Sequence, residues 1–505
     1  MTVGELAGRS ARLPSPMQGK ALAGQGTLLA ALILLGVAFV TRVWVFGNPV
    51  IHIDEQFYLL TGDRMLHGLL PYADIYDRKP IGLFLIYAGI RLLGGDGVVQ
   101  YQLVAMLSAT ATALLICRIA GRVAPPAGAL AAGIAYLLYT LAFNGVGGQS
   151  PIFYNSIMAG AALLTMRSVT RPAPRHLTAM GAAIMLLIGL AIQIKYSVVF
   201  EGMFFGLALL WRSWSDGQKP WKLGLQGLLW VTCALAPTGL ALATYYAAGH
   251  ADAFLFANFK SIFGRHEPRE MVLGRLFQTA ALLAPVWVLL FHAPGRPIQA
   301  EQGKHADWQF LRLWALAAIG GFLLFGSYYD HYALPLLVPL TALASLWLGN
   351  ARGVTLYGIA LLGFGLVSGV AMTIHFLHLE GNRAEFDRMS SLVKAHLNGG
   401  CLEAYEGPPA LYRSTGACFV TRYVFPGFLN NAKEVTSLAG TNSIEMATLL
   451  ARHPRVIVMN EEIRPQLTNM TTRRMLEETV HHDYHLIARL PLGERHYLIY
   501  ERGGA

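Results

Sequence analysis

Long apolar runs separated by short polar loops occupy about the first three quarters of the chain. Each run has roughly the 20 residues that an α-helix needs to cross the ~30 Å hydrocarbon core of a bilayer. The pattern predicts about eleven transmembrane helices, near residues 26–47, 98–120, 126–143, 152–168, 177–194, 197–211, 224–248, 275–292, 309–326, 332–348 and 354–377. The predicted fold class is therefore an α-helical polytopic membrane protein.

One further apolar block, Pro80 to Leu93, is too short to cross in the same way. As a helix it would reach only about 20 Å. We therefore expect it to lie in the outer interface, or to dip into the bilayer and return. The loop before it, residues 48–79, has an apolar side around Phe57, Tyr58 and Leu60. This loop is predicted to hold a juxtamembrane helix.

From about residue 378 the composition becomes polar and mixed. A charged helical stretch is followed by alternating strand-like and helix-like runs, which predict a small α/β domain. The predicted elements are a helix at Asn382–His396, a strand at Arg455–Met459, a helix at Gln466–Val480, and strands at Tyr484–Leu490 and Arg495–Tyr500.

Basic residues decide the predicted orientation. If the N-terminus is cytoplasmic and the block 80–93 does not cross, nearly every short inner loop is basic, as the positive-inside rule requires. These residues are Arg9, Arg12, Lys20, Arg118, Arg122, Arg167, Arg171, Arg175, Arg212, Lys219, Lys222, Arg296, Lys304 and Arg352. The prediction is a cytoplasmic tail (1–25), a transmembrane domain (26–377) with its outer loop 48–79, and a periplasmic domain (378–505).

The composition agrees with a membrane protein. The 505 residues are 54% hydrophobic and 13% charged, about half the charge of a soluble protein. The net charge of +10 does not indicate nucleic-acid binding, because the basic residues lie in separate short loops rather than on one surface. Cys117 and Cys233 lie in apolar segments. Cys401 and Cys418 could pair if the C-terminal domain is extracytoplasmic, and the sequence leaves that pairing open.

The first outer loop carries reactive side chains at both ends. Asp54 and Glu55 follow the first span, and Arg78, Lys79 and Pro80 close the loop. A carboxylate can take the proton from an acceptor hydroxyl, and a cation can hold a leaving phosphate. The loop therefore predicts group transfer at the membrane surface. From composition alone, acids and bases that merely keep the loop solvated remain an alternative.

The loop resembles the first-loop signature of the GT-C superfamily of membrane glycosyltransferases. The shared features are Asp-Glu after the first span, a nearby aromatic, a small-residue turn, Lys-Pro opening a short apolar helix, and a late Tyr-x-x-Pro at Tyr332–Pro335. The similarity covers about residues 26–348. It is nearest to the family 39-like branch of protein O-mannosyltransferases and the aminoarabinose transferase of lipid A. It implies transfer of a hexosyl or pentosyl group from a polyprenyl-phosphate donor, with inversion.

The resemblance also implies residue roles. Asp54 would be the general base and Lys79 would contact the donor phosphate. Tyr332 would contact the lipid-phosphate region, and Glu55 and Tyr58 would line the same wall. Glu55 is grouped among the catalytic candidates and Tyr58 among the substrate-binding ones. Position near the predicted outer face adds further candidates: Arg78, His331 and Lys195 for the donor, and Gln149 and Asn155 for the substrate.

Two departures limit what the resemblance implies. Many relatives carry a second acid in the small outer loop, where this chain reads NGVGGQSPIFYNS. A second catalytic acid, or a divalent metal between two loops, therefore lacks support. Phe57 stands where the aminoarabinose branch tends to have Arg, so lipid A is not indicated as the acceptor.

His52 could bind a metal ion together with Asp54, but no third ligand stands at a recognisable spacing.

The predicted partners are a polyprenyl-phosphate sugar donor, a lipid, glycan or protein acceptor, and membrane lipids. No certain cofactor and no nucleic acid are expected, and the predicted location is the bacterial inner membrane. The alternatives are a transporter or flippase, a ligase or polymerase of lipid-linked glycans, and an envelope scaffold. Transporters often have internal repeats and broken helices at mid-membrane. This chain has no evident repeat, and its charged chemistry lies in an outer loop.

Overall fold

The computed structural model describes residues 16–170, 176–292, 301–464 and 466–503, with side chains from residue 26 onwards. Most of the predicted cytoplasmic tail lies outside the described residues. The same holds for the predicted inner-loop residues Arg171, Arg175 and Arg296.

The described part of the chain is mostly helical. The longer helices are α1 Pro16–Arg42, α2 Ile53–Met65, α3 Ile81–Arg91, α4 Val98–Ala120, α5 Pro126–Ala142, α6 Ser150–Thr170, α7 Leu177–Ile192, α8 Val199–Ser215, α9 Pro220–Ala247, α11 Arg269–Trp287, α12 Gln302–Phe325, α13 Leu337–Leu348 and α14 Leu356–Glu380; a short α10, Ala251–Leu255, follows α9. A 3₁₀ segment, Asp330–Leu336, leads into α13.

Within the described residues, seven helical stretches are long and apolar enough to cross a membrane. They are Gly26–Val45, Val98–Ala120, Pro220–Ala247, Arg269–Phe291, Gln302–Phe325, Asp330–Leu348 and Leu356–Leu397. Three apolar helices are shorter: Ile81–Arg91, Pro126–Ala142 and Leu177–Ile192. The polytopic helical class is confirmed, whereas the count of about eleven spans stays a prediction.

The short apolar block forms helix α3, with 11 residues, and it packs closely on α2. A Cβ at Gly62 of α2 would lie 2.6 Å from the Ala88 backbone nitrogen. Glycine therefore allows the two helices to approach each other. Pro80 precedes α3 in an extended conformation, which starts the helix directly after Lys79. This contact holds α2 of the first outer loop against the helix that follows the loop.

A two-stranded hairpin, β1 Gly349–Asn350 and β2 Gly353–Val354, precedes α14. The C-terminal region forms a separate five-stranded sheet, with strands β3 Cys401–Ala404, β4 Cys418–Phe419, β5 Val456–Asn460, β6 Tyr484–Leu492 and β7 Arg495–Arg502. The strand order is β4-β3-β5-β7-β6. Strand β3 is parallel to β4 and β5, whereas β7 is antiparallel to β5 and β6. All five side chains of β5 are buried. The three predicted strands are confirmed to within a few residues.

Helices pack around this sheet. They are α15 Arg383–Leu397, α16 Ala410–Thr415, α17 Gly427–Asn430, α18 Asn442–Ala451 and α19 Met470–Asp483. Asn382 and Glu385 form a capping box at the start of α15. The predicted helix at Gln466–Val480 begins only at Met470, because the Asn469 side chain caps it by accepting from two backbone amides. A disulfide joins Cys401 to Cys418, so the pairing that the sequence left open is present.

The C-terminal domain rests on the first outer loop. Tyr76 donates its backbone N–H to the Arg422 carbonyl at 2.9 Å, and the Arg64 guanidinium donates to the Ala417 carbonyl at 3.0 Å. Backbone and side-chain hydrogen bonds thus fix the domain above the loop that carries Asp54 and Lys79.

Candidate active site

A cavity of about 920 Å³ lies between the transmembrane helices, the first outer loop and the C-terminal domain. Residues of the transmembrane region supply apolar walls, at Ile192, Val199 and Leu235. The C-terminal domain supplies polar walls, including Asn460 and Arg464. The cavity can therefore hold a molecule with one apolar and one polar part.

Asp54 faces this cavity from the first turn of α2. The helix begins after His52, whose ring accepts from the Asp54 backbone N–H at 3.3 Å. A carboxylate in the first turn is favoured by the helix dipole. Burial alone would raise the pKa of Asp54, but Lys79 and His52 hold that pKa below its usual range. Asp54 is therefore ionised at neutral pH.

Lys79 enters the same cavity from the end of the loop. Asp77 fixes its backbone by accepting from the Lys79 N–H at 2.9 Å, and the Tyr72 hydroxyl donates to the Lys79 carbonyl at 2.8 Å. The ammonium lies 5.3 Å from the centre of the Tyr58 ring. Burial opposes its charge, but Asp54 and Asp77 raise the pKa of Lys79. Lys79 is a cation in the folded protein.

Lys195 and Tyr332 complete this part of the cavity. The Lys195 ammonium lies 3.5 Å from the centre of the Tyr332 ring, and Lys195 is only 5% exposed. His331 stacks edge-on against Tyr332 at 4.7 Å and lies 5.9 Å from the His52 ring. The start of α2, the end of the first outer loop at Lys79, the segment at Lys195 and the segment at His331 and Tyr332 are distant in sequence but line one cavity.

Neither lysine ammonium forms a close ion pair with a described residue. Across the described ranges, no hydrogen bond or ion pair within 4 Å reaches the Nζ of Lys79 or Lys195. Holding an ammonium group away from water is costly unless it is paired, and burial, with the nearby charge of Lys79, holds the pKa of Lys195 well below its usual range. An anion bound between the two lysines would favour the charged form of both. Two such lysines on one cavity therefore predict an anionic ligand.

Three side chains could hold a divalent ion. His52, Asp54 and His331 each offer a ligand atom, and these atoms lie within 4.8 Å of one another. Two imidazoles and a carboxylate suit Zn²⁺ and similar ions, which would act as a Lewis acid there. The sequence showed no third metal ligand at a recognisable spacing from His52 and Asp54. In the structure that ligand is His331, which comes from a distant segment. The Nδ1 of His52 also lies 2.6 Å from the Gln149 side-chain nitrogen, so an ion would compete with that contact.

The three candidates for binding substrate, Tyr58, Gln149 and Asn155, do not line the cavity. Tyr58 is buried, with its ring beside the Lys79 ammonium. Gln149 contacts His52 instead. Asn155 is buried, and its side-chain N–H donates at 3.2 Å to the Leu334 carbonyl and to the Tyr136 hydroxyl. These contacts hold the segments that carry His52 and Tyr332.

Glu55 also lies outside the cavity lining. It is 1% exposed, and a Cβ at Gly147 would lie 2.2 Å from its Oε2. Neither carboxylate oxygen has a hydrogen bond of normal geometry among the described residues. Burial raises the pKa of Glu55 to about 7, against the lowering effect of His52.

Replacing Glu55 with Gln should change how stability depends on pH. The raised folded-state pKa means that the parent loses stability as pH rises from about 4.5 to about 7, and Gln cannot ionise. We expect Glu55→Gln to gain about 3 kcal/mol relative to the parent between pH 4.5 and pH 8. Unfolding in detergent at both pH values measures this difference. The exposed Glu494→Gln is the matched control, and a difference that does not vary with pH would contradict the expectation.

Arg78, a candidate for binding the donor phosphate, lines the cavity. Its guanidinium, however, already binds other side chains. Its guanidinium pairs with Glu434 at 2.6 Å and donates to Ser261 at 3.0 Å. Several other lining residues were not among the candidates from the sequence: Tyr329, Lys433, Glu434, Asn460, Glu462, Arg464 and Tyr497. Of these, Tyr329 lies nearest to a recognised motif, three residues before Tyr332.

No protein-family model matches the chain, and no curated protein is detectably similar in sequence. Solved structures are similar in fold. ArnT from Cupriavidus metallidurans bound to undecaprenyl phosphate aligns with a TM-score of 0.59 at 13% identity, over 95% of this chain and 98% of that chain. Its apo form gives 0.57 at 15% identity with the same coverage. The chain has the GT-C fold.

A more distant GT-C structure is also similar. The apo oligosaccharyltransferase from Archaeoglobus fulgidus aligns with a TM-score of 0.50 at 11% identity, over 86% of this chain and 69% of that chain. The resemblance predicted from the first outer loop is thus confirmed at the level of the fold. The GT-C fold and the apolar helices are those of a multi-pass membrane protein.

Proposed function

We propose that this GT-C protein is a glycosyltransferase that moves a sugar from a polyprenyl-phosphate donor to an acceptor hydroxyl on the periplasmic side of the bacterial inner membrane. The observation that carries the proposal is the pair of lysines, Lys79 and Lys195, whose ammonium groups have no ion-pair partner within 4 Å among the described residues and which lie beside the Asp54 carboxylate in one cavity. This arrangement provides an anion site next to a base. Similarity to a structure that holds undecaprenyl phosphate supports a lipid-phosphate donor.

The proposed reaction gives Asp54 and the two lysines separate roles. The acceptor oxygen attacks the anomeric carbon on the face opposite the phosphate, which inverts that centre, and Asp54 takes the acceptor proton. The bond between the anomeric carbon and the phosphate oxygen breaks, and its electron pair leaves with the polyprenyl phosphate. Lys79 and Lys195 stabilise the charge that develops on that phosphate.

Donor binding also improves Asp54 as a base. In the empty cavity, the positive charge of Lys79 holds the pKa of Asp54 low despite burial. A bound phosphate shares Lys79 and adds negative charge nearby, and both effects raise a neighbouring carboxyl pKa. Asp54 thus becomes a stronger base when the donor is in place, which favours proton removal in the ternary complex over the empty site.

The two substrates enter from different sides. The lipid part of the donor would lie along the apolar walls near Phe325 and Leu235. A second cavity, lined by Tyr154, Phe322 and Tyr332, adjoins this side. The acceptor would enter beneath the C-terminal domain, residues 378–505, which we place in the periplasm with loop 48–79. The tail 1–25 would then be cytoplasmic.

The test is sugar transfer by the full-length protein in proteoliposomes. Polyprenyl-phosphate-linked pentoses and hexoses would be offered one at a time with crude envelope acceptors, against protein-free liposomes. We expect one donor to label the acceptor only when the protein is present. If no donor is used but a lipid-linked sugar crosses the bilayer, the protein is a transporter and the proposal is wrong.

A further inference from the structure

A buried carboxylate of the C-terminal domain joins three parts of the cavity rim. Glu434 is 3% exposed and ends a 3₁₀ turn, Ala432–Glu434. Its Oε2 lies 2.6 Å from the Arg78 Nη2, and its Oε1 lies 3.3 Å from the Arg265 Nε. One carboxylate therefore neutralises two arginines, one from the first outer loop and one from the segment between α10 and α11.

Arg78 is held from three sides. Besides Glu434, it donates to the Ser261 hydroxyl at 3.0 Å and to the Ser437 hydroxyl at 2.6 Å. The Ser437 hydroxyl in turn donates to Glu434. The guanidinium also lies 5.3 Å from the centre of the Phe428 ring. The residue that follows Arg78 is Lys79, so this junction fixes the backbone from which Lys79 reaches the cavity.

The second branch reaches the other side of the cavity through Arg265. Its Nη2 lies 3.0 Å from Glu267 and donates to the Tyr329 hydroxyl at 3.2 Å. Lys433, next to Glu434, also donates to the Tyr329 hydroxyl, at 2.7 Å. The Tyr329 ring lies 5.5 Å from Tyr332. The segment that carries Tyr332 is thus tied to the same turn as Lys79.

We infer that Glu434 is a positioning residue for transfer: through Arg78 and Arg265 it sets the positions of Lys79 and Tyr332 relative to each other. A buried ion pair is weak evidence for stability, because desolvation offsets much of its attraction. Its geometric role is stronger, since bidentate and multi-point arginine contacts fix orientation. A small displacement of a group that binds the reacting phosphate costs rate out of proportion to its size. The inference rests on the proposed function, because it assigns Lys79 and Tyr332 to the donor.

The test compares Glu434→Gln with Glu434→Asp in the full-length protein. Gln keeps the shape but removes the charge that holds both arginines, whereas Asp keeps the charge. We expect Glu434→Gln to lower kcat/KM for the donor at least tenfold, and Glu434→Asp to recover most of that loss. The matched control, Arg489→Gln, breaks the exposed pair of Arg489 with Glu461 in the same domain and should leave transfer within twofold.

A double variant separates positioning from general damage. If Glu434 acts through Lys79, adding Glu434→Gln to Lys79→Met should reduce the residual transfer by less than threefold, because the group being positioned is already gone. A tenfold loss in both backgrounds, or no loss in the parent background, would overturn the inference.

Binding of undecaprenyl phosphate gives a readout that does not need transfer. We expect Glu434→Gln to weaken this binding at least fivefold, with the control unchanged. If the parent transfers no sugar at all, the proposed function fails, and the role of Glu434 is then decided by this binding alone. Equal affinity of the parent and of Glu434→Gln for undecaprenyl phosphate would overturn the positioning role of Glu434.

Discussion

Replacing Asp54 with Asn should abolish sugar transfer, with kcat at least ~100-fold below the parent. Asn keeps the size of the side chain but cannot accept the proton that the acceptor hydroxyl loses. Binding of undecaprenyl phosphate should weaken little or become tighter, because a negative charge next to the phosphate is removed. Transfer and binding measured on the same proteoliposome preparations test both statements.

The matched control for this change is Asp252→Asn, an exposed acid that does not line the cavity. It should transfer sugar as the parent does. If Asp54→Asn keeps more than a tenth of the parent kcat, Asp54 is not the base.

The pH profile of the parent enzyme gives a second check on Asp54. Burial would raise the pKa of Asp54, but Lys79 holds that pKa below its usual range. Protonation of Asp54 should therefore not limit donor capture, measured as kcat/KM, until the pH falls below about 4.

Replacing Lys79 with Met should lower kcat/KM for the donor at least ~100-fold, as expected when a charge-stabilising donor is removed from a closed site. The aliphatic stem of Lys79 is retained by Met, whereas the ammonium that faces the leaving phosphate is lost. Unlike Asp54→Asn, this variant should also bind undecaprenyl phosphate more weakly. The two variants are therefore distinguishable by their binding, although both lose transfer.

Lys260→Met is the control for this experiment, because Lys260 is an exposed cation that lies outside the cavity lining. Unchanged donor affinity in Lys79→Met would mean that the phosphate binds elsewhere, and Lys195 would then be the first residue to replace. Unfolding midpoints measured for each variant separate a loss of transfer from a loss of folding, because Asp54 and Lys79 favour each other's charged form.

Much of the candidate site could be predicted because it lies in one continuous loop. Asp54 and Lys79 stand at the ends of a segment whose polar and apolar pattern is visible in the sequence, and the fold places both on one cavity. The Tyr-x-x-Pro segment was similarly recognisable. The strands of the C-terminal domain followed from local apolar runs, which agree with β5, β6 and β7.

Contacts between distant segments could not be predicted in this way. His331 approaches His52 and Asp54 only after the helices pack, so the third candidate metal ligand was invisible at any sequence spacing. The pair of Arg78 with Glu434 spans 356 residues, and its guanidinium therefore looked free to bind phosphate. Glu55 and Asn155 had the right chemistry, but the side of the helix on which each lies directs it into the protein interior.

The order of the strands has a consequence for how the protein matures. Strand β7 comes last along the sequence, yet it lies between β5 and β6 and supplies Arg495 and Tyr497 to the cavity wall. The sheet therefore cannot close until residues 495–502 have left the ribosome and joined the rest of the domain. A nascent chain would already display Asp54 and Lys79 but would lack the wall above them. The cavity wall would be completed in one step, when β7 joins the sheet, in the compartment where the domain folds.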